Sequence, residues 1–161
     1  LILITAPKND WNLAYQSIYN DIKKIPNNLY EIHFAIVASV NQLALLIKRI
    51  ASKRKIDILV IGGHGSPEGI NFGAGYLDRK ALNTEVFNNM RNCFSSDAKC
   101  YLLSCSTGKD EQSIANEVSR LFEINVYAPP IDTSITIEVK PSGELEFKYR
   151  NTELRSFSSN R

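Results

Sequence analysis

No apolar stretch in the sequence is long enough to cross a bilayer. The longest run, Ile56 to Gly63, is interrupted by Asp57 and falls far short of the roughly 20 residues a spanning helix needs. Cysteine is scarce too: Cys93, Cys100 and Cys105 are the only three, and they show no CxxC spacing. An odd number without paired motifs argues against a disulfide framework and for a reducing compartment or a free thiol. Neither sign of charge dominates, because 19 Lys+Arg against 17 Asp+Glu leave +2 and a pI near 8.4. That balance supplies no electrostatic footprint for nucleic acid or an anionic membrane. Internal repeats and low-complexity segments are missing. So are a starting Met and a basic n-region with a small-residue cleavage site, and the chain is therefore expected to be an excised domain or processed fragment.

What is present is an ordinary globular composition. With 161 residues, 43% hydrophobic and 22% charged, the chain suits one domain with one core and excludes collagen-like and disordered classes. The expected domain covers residues 1–150, with a frayed tail over 151–161. An apolar run at Leu1 to Thr5 predicts a strand, and Asn9 or Asp10 can cap a helix from Trp11 whose face is Leu13, Ala14, Ile18 and Ile22. Pro26, Asn27 and Asn28 stop it, and Tyr30 to Val37 predicts a second strand. A helix from about Val40 follows, with Leu43, Leu46, Ile47 and Ile50 on one side and Lys48, Arg49, Lys53, Arg54 and Lys55 on the other.

Ile56 to Ile61 is almost uniformly apolar, as a strand covered on both faces requires. It leads into Gly62 to Gly69, too rich in glycine for helix or strand, and then a short extended piece at Ile70 to Phe72. Asp78 caps a helix expected from Arg79 to about Cys93, which Ser95, Ser96 and Asp97 end. A strand Cys100 to Leu103, a loop Ser104 to Gly108, a helix from about Glu111 to Phe122 and a strand Asn125 to Ala128 follow. Ser134 to Val139 and Glu144 to Tyr149 predict an antiparallel hairpin at an edge. Strands alternating with helices give a three-layer α/β/α sandwich around a mostly parallel sheet, whose chemistry belongs beyond the carboxyl ends of the strands.

Two loops at that edge carry reactive side chains, His64 and Cys105. A thiol attacks as thiolate, so it needs a neighbouring base or positive helix end, and its product needs donors for the developing oxyanion. If the two strands are neighbours, both side chains leave one sheet edge about 4.8 Å apart plus their own reach. Gly65 offers an unobstructed backbone N–H, and the N–H of Cys105 faces the same space.

Apolar strand-His64-Gly65 followed by apolar strand-Ser104-Cys105 resembles the signature of the caspase-like cysteine peptidases (clan CD), which include caspases, legumains, separases, gingipains and the self-cleaving protease domains of large bacterial toxins. Gly63-His64-Gly65-Ser66-Pro67, Gly69-Ile70-Asn71-Phe72-Gly73 and Tyr101-Leu102-Leu103-Ser104-Cys105-Ser106 are most similar to the bacterial toxin and effector members. The resemblance implies a caspase-like fold over roughly residues 1 to 130 and a cysteine peptidase. In it Cys105 is the nucleophile, His64 the general base and acid, and the Gly65 and Cys105 amides the oxyanion site. It implies a dyad, with no acidic third member. It also implies protein or peptide substrates, the parent chain among them, and for some members activation by inositol hexakisphosphate. The basic cluster Lys48, Arg49, Lys53, Arg54, Lys55 could serve that ligand, against the default of a solvated helix face. No other cofactor is expected.

Nothing in the motifs fixes the specificity pocket. Ser104 and the segment Tyr127-Ala128-Pro129-Pro130 are expected to border the substrate cleft, and Asp132 to pair with a basic substrate side chain. His33, between apolar neighbours, is expected to be packed or satisfied, and Cys93 and Cys100 to be structural. A zinc site would need four ligands with short paired spacing, which the sequence lacks. Gly63-x-Gly65 with Gly69 is near a dinucleotide fingerprint, but Glu68 stands where the third glycine belongs. No GxSxG elbow exists. The alternative to an enzyme is a caspase-like binding or scaffold domain that does not use the pair.

Overall fold

Short β-branched and aliphatic runs build one central sheet. In the computed structural model, which describes residues 1–10 and 15–158, these runs are β1 (Ile2–Pro7), β2 (Ile32–Val37) and β3 (Ile56–Gly62). Between the last two lies helix α2 (Val40–Ala51), and α1 (Gln16–Ile22) precedes β2. The predicted start of that first helix, at Trp11 with Leu13 and Ala14, lies outside the described residues. Ser39 caps α2 by accepting the Gln42 N–H at 3.3 Å, and Lys48 and Arg49 meet the negative end of its dipole.

The glycine-rich segment after β3 is not loop. It forms a three-stranded antiparallel sheet from β4 (His64–Ser66), β5 (Gly69–Asn71) and β6 (Tyr76–Asp78). Ile70, Phe72 and Leu77 are fully buried there, so apolar anchors outweigh the poor strand propensity of glycine. Asp78 caps the next helix as expected, its carboxylate accepting the Ala81 N–H at 2.7 Å. That helix, α3, is only Arg79–Leu82, followed by 3-10 turns at Glu85–Phe87 and Met90–Cys93. Asn83 and Thr84 end it early: their side chains donate to the carbonyls of Arg79 and Ala81 at 2.9 and 2.7 Å, in place of the next turn's N–H groups.

Strand β7 (Phe94–Leu103) begins six residues before the expected position. Ser95, Ser96 and Asp97 do not break it; they occupy an irregular stretch where its pairing with β3 jumps from Ile56↔Phe94 to Ile58↔Lys99. Helix α4 (Ile114–Phe122) and strand β8 (Asn125–Ala128) follow, then the hairpin β9 (Ile135–Val139) and β10 (Leu145–Tyr149). The tail is not wholly frayed, because β11 (Arg155–Phe157) pairs antiparallel with β8 and buries Phe157.

The six-stranded sheet runs β11-β8-β7-β3-β1-β2, parallel except for β11. An α/β chain around a mostly parallel sheet is therefore what forms. Alternation along the strands divides the core. Leu3, Leu59, Ile61, Cys100, Leu102 and Val126 join α2 and α4 on one face. Ile2, Ile4, Val60 and Leu103 join Ile18 of α1 and Ile137, Leu145 and Phe147 of the hairpin on the other. The hairpin thus forms its own two-stranded sheet against a face and does not extend the sheet edge. Phe147 stacks on Tyr101 with ring centroids 3.8 Å apart, and the Tyr149 hydroxyl donates to the Leu102 carbonyl at 2.9 Å.

Candidate active site

Because β1, β3 and β7 are parallel neighbours, the residues that follow them emerge at one edge. Gly62 pairs with Leu103, so His64 and Cys105 each stand two residues beyond the same rung. Their segments touch. A Cβ built on Gly65 would lie 2.5 Å from the Cys105 carbonyl oxygen and 2.7 Å from the Ser104 Cβ, a separation no side chain tolerates. Glycine after the histidine is therefore the condition for bringing the two loops together.

Tyr15 ties both strand ends. Its hydroxyl lies within hydrogen-bond reach of the Gly63 carbonyl and, at 2.5 Å, of the Leu103 carbonyl, sharing its proton between them. The same oxygen accepts the Gly63 N–H at 2.7 Å. The ring crosses Gly62, where a Cβ would meet it at 2.7 Å, and sets its edge against the His64 imidazole with centroids 6.1 Å apart at 79°. Burial pushes the phenol far above its ordinary range, against the opposing pull of its hydrogen bonds to Gly63 and Ser104.

Asp10, three residues past β1, reaches the same place. Its Oδ2 accepts the Tyr15 N–H at 3.0 Å, and its Oδ1 lies 4.0 Å from His64 Nε2, with the two side chains 18% and 27% exposed. Neither Tyr15 nor Asp10 was singled out for chemistry in the sequence. The edge rule applied to β1 as well as to β3 and β7 would have pointed to the segment that holds them.

Cys105 is half-buried, and its thiol approaches the Thr133 carbonyl at 3.9 Å. The segment after β8 is laced onto the segment after β7. Gly108 N–H donates to the Pro129 carbonyl at 2.8 Å and Ser106 N–H to the Ile131 carbonyl at 3.2 Å. Ser106, in the left-handed region at φ 56°, donates its hydroxyl to Asp132 Oδ1 at 2.6 Å. Asp132 thus stands beside the cysteine loop, exposed. Pro129 is buried and serves as a backbone brace. Tyr127 stacks on Tyr101 at 5.0 Å on the hairpin side of the sheet. Ser104 is 3% exposed, and its hydroxyl lies beside the Tyr15 phenol, facing inward.

Beside Asp10 and Tyr15 opens a cavity of about 850 Å³, lined among the described residues by Ala6, Pro7, Lys8, Tyr19, Phe34 and Ile36 as well. The basic side chains Lys48, Lys53, Arg54 and Lys55 line a different cavity, of about 660 Å³, together with Asn88, Asn89 and Asn92. Lys55 directly precedes β3, so this cluster sits at the opposite end of that strand from His64. His33 pairs with Glu31 at 3.0 Å on the exposed edge strand β2, satisfied but not packed inside. Cys93 and Cys100 are buried, and desolvation pushes both thiols up. Among the described residues no group of three His, Cys, Asp or Glu side chains is gathered to hold a metal ion, and no helix is long and apolar enough to cross a membrane.

Residues 16–146 match the model of a family described as Domain of unknown function (DUF8616). No curated protein matches the chain.

Proposed function

The chain belongs to that family, whose description assigns no activity, and from the site itself we propose that it is a caspase-like cysteine endopeptidase domain. The observation that carries the reading is the packing of Gly65 against the Ser104–Cys105 backbone, which brings the histidine and cysteine loops into contact at the carboxyl ends of adjacent parallel strands. A sheet with α2 and α4 on one face, and α1 with the hairpin on the other, supports a three-layer, caspase-like arrangement.

In this reading Cys105 Sγ attacks the carbonyl carbon of a peptide bond as its proton passes to His64. The new C–S bond forms, the carbonyl becomes an oxyanion, and the Gly65 and Cys105 amides are the donors assigned to it. Collapse breaks the C–N bond, and the imidazolium gives its proton to the leaving amine. Water then attacks the thioester, His64 takes its proton, and the acid product leaves with the thiol restored. Substrates are protein or peptide chains lying along the strand ends. The 850 Å³ cavity opens beside Asp10 and Tyr15, and Asp132 is bonded to Ser106 next to the cysteine.

The test needs no known substrate. Iodoacetamide should alkylate Cys105 at neutral pH, and more slowly in His64→Ala. A thiol inert in both proteins would favour a caspase-like scaffold that makes no use of the pair.

A further inference from the structure

We propose that the cavity of about 850 Å³ beside Tyr15 is the subsite for the substrate residue that follows the scissile bond, and that it selects a bulky apolar or aromatic side chain there. The proposal rests on the peptidase reading and deepens it by naming a substrate class. Strand order is its first support, because β7, β3, β1 and β2 lie side by side in the sheet. Cys105 follows β7 and His64 follows β3, whereas the strand residues that line the cavity, Ala6, Pro7, Phe34 and Ile36, belong to β1 and β2. Ala6 pairs with Ile36 one rung from the carboxyl ends of both strands, so the cavity opens at the edge that carries the histidine. The order along that edge is thiol, imidazole, cavity. The second support is continuity. Tyr15 lines the cavity and also sets its ring edge against the His64 imidazole, with centroids 6.1 Å apart, so the pocket and the histidine share a wall.

The chemistry fixes which half of the substrate meets this pocket. His64 gives its proton to the leaving amine, so the amine half passes by the imidazole while the acyl half stays on the thiol. The first side chain of the amine half is the one carried toward the cavity. Its lining chooses the kind of side chain. Tyr19 of α1 tilts against Phe34 with ring centroids 5.6 Å apart, and Ala6 and Pro7 add buried apolar surface. Tyr19 and Ile36 remain 48% and 60% exposed, which is apolar area that a substrate side chain would cover. Lys8, Asp10 and Asn20 are the polar members among the described residues. With one charge of each sign, they favour neither a basic nor an acidic side chain. The volume falls within the range of about 300–1,000 Å³ usual for ligand pockets.

A peptide library varied on both sides of the scissile bond tests this, with the wild-type chain, Tyr19→Ala and Ile36→Ser compared. Both replaced side chains are largely exposed, so the fold has little to lose in either variant. The wild type should cleave before Phe, Tyr or Leu with a kcat/KM roughly 10-fold or more above that before Gly or Ser. Each variant should cut that ratio by roughly 3-fold or more, through the lost apolar contact. Leu45→Ala, an equally exposed change on α2 away from the cavity, should keep the wild-type ratio. Equal rates across all residues after the bond, a preference confined to the residue before it, or a preference that both variants keep at full strength overturns the proposal and leaves the peptidase reading standing. If the wild type cleaves no peptide at all, the peptidase reading itself fails and takes the proposal with it, and the two failures are distinct.

Discussion

Gly65 and Cys105 share a contact that only glycine permits, since a Cβ at 65 would stand 2.5 Å from the Cys105 carbonyl oxygen. The neighbouring atoms are backbone and the Ser104 Cβ fixed to it, none of which can swing away as the end of a flexible side chain would. Gly65→Ala is therefore expected to force the two loops apart, costing about 1–3 kcal/mol of stability and a much larger share of activity. Chemical denaturation and turnover measured together check this; a Gly65→Ala protein with native kinetics would show that the contact is not required.

Tyr15→Phe keeps the ring and deletes the hydroxyl that bridges Gly63 and Leu103. Two buried carbonyls and one N–H lose their partner, so a destabilisation of about 1–3 kcal/mol is expected. Because the loss falls on the backbone directly before His64 and Ser104, kcat should drop by more than the stability change alone implies. Retention of both would make Tyr15 a packing residue only.

The three cysteines should differ sharply in reactivity. Cys93 and Cys100 are buried, and desolvation raises both thiols, whereas Cys105 is half-exposed. Native protein at pH 7.5 should label at Cys105 first, and the other two only on unfolding, as peptide mass mapping after iodoacetamide would read. The same burial sets the alkaline limb of stability. Cys100 and the phenols of Tyr15 and Tyr149 are raised by desolvation, and Tyr101 is pushed up to about 12. A group raised in the fold stabilises fully below its unfolded value and less as pH climbs toward the folded one. Stability should hold up to about pH 8.5, where the thiols of the unfolded chain begin to ionise, and fall further above about pH 10 as the phenols follow. A flat profile from pH 8 to 11 would contradict that sign.

Asp132 is held by the Ser106 hydroxyl at 2.6 Å, beside the thiol. If it receives a basic substrate side chain, Asp132→Ala should lose any preference for Arg or Lys before the scissile bond, with a smaller effect on the rate for neutral residues. Ser106→Ala should act in the same direction but more weakly. Unchanged selectivity in Asp132→Ala removes the residue from the pocket.

Much of this arrangement could be read from residue order. The uniform apolarity of Ile56 to Ile61, and the small residues after each central strand, were enough to place His64 and Cys105 at one edge. The antiparallel sheet of His64 to Asp78 was not legible, because its buried anchors Ile70, Phe72 and Leu77 are spaced among glycines that mimic a loop. Asn83 and Thr84 shortened the following helix through side-chain bonds to its own carbonyls, which periodicity does not register. Asp10 and Tyr15 escaped notice because a helix cap and an aromatic residue are commonplace in sequence. Their role depends on β1 lying next to β3, a fact of topology.

The most direct measurement is cleavage of a peptide library, varied at the residue before the scissile bond, by the wild-type chain and by Cys105→Ala and His64→Ala side by side. The account predicts cleavage by the wild type, none by Cys105→Ala and at most a trace by His64→Ala, with the selectivity reading the pocket. Cleavage that persists undiminished in Cys105→Ala would contradict it.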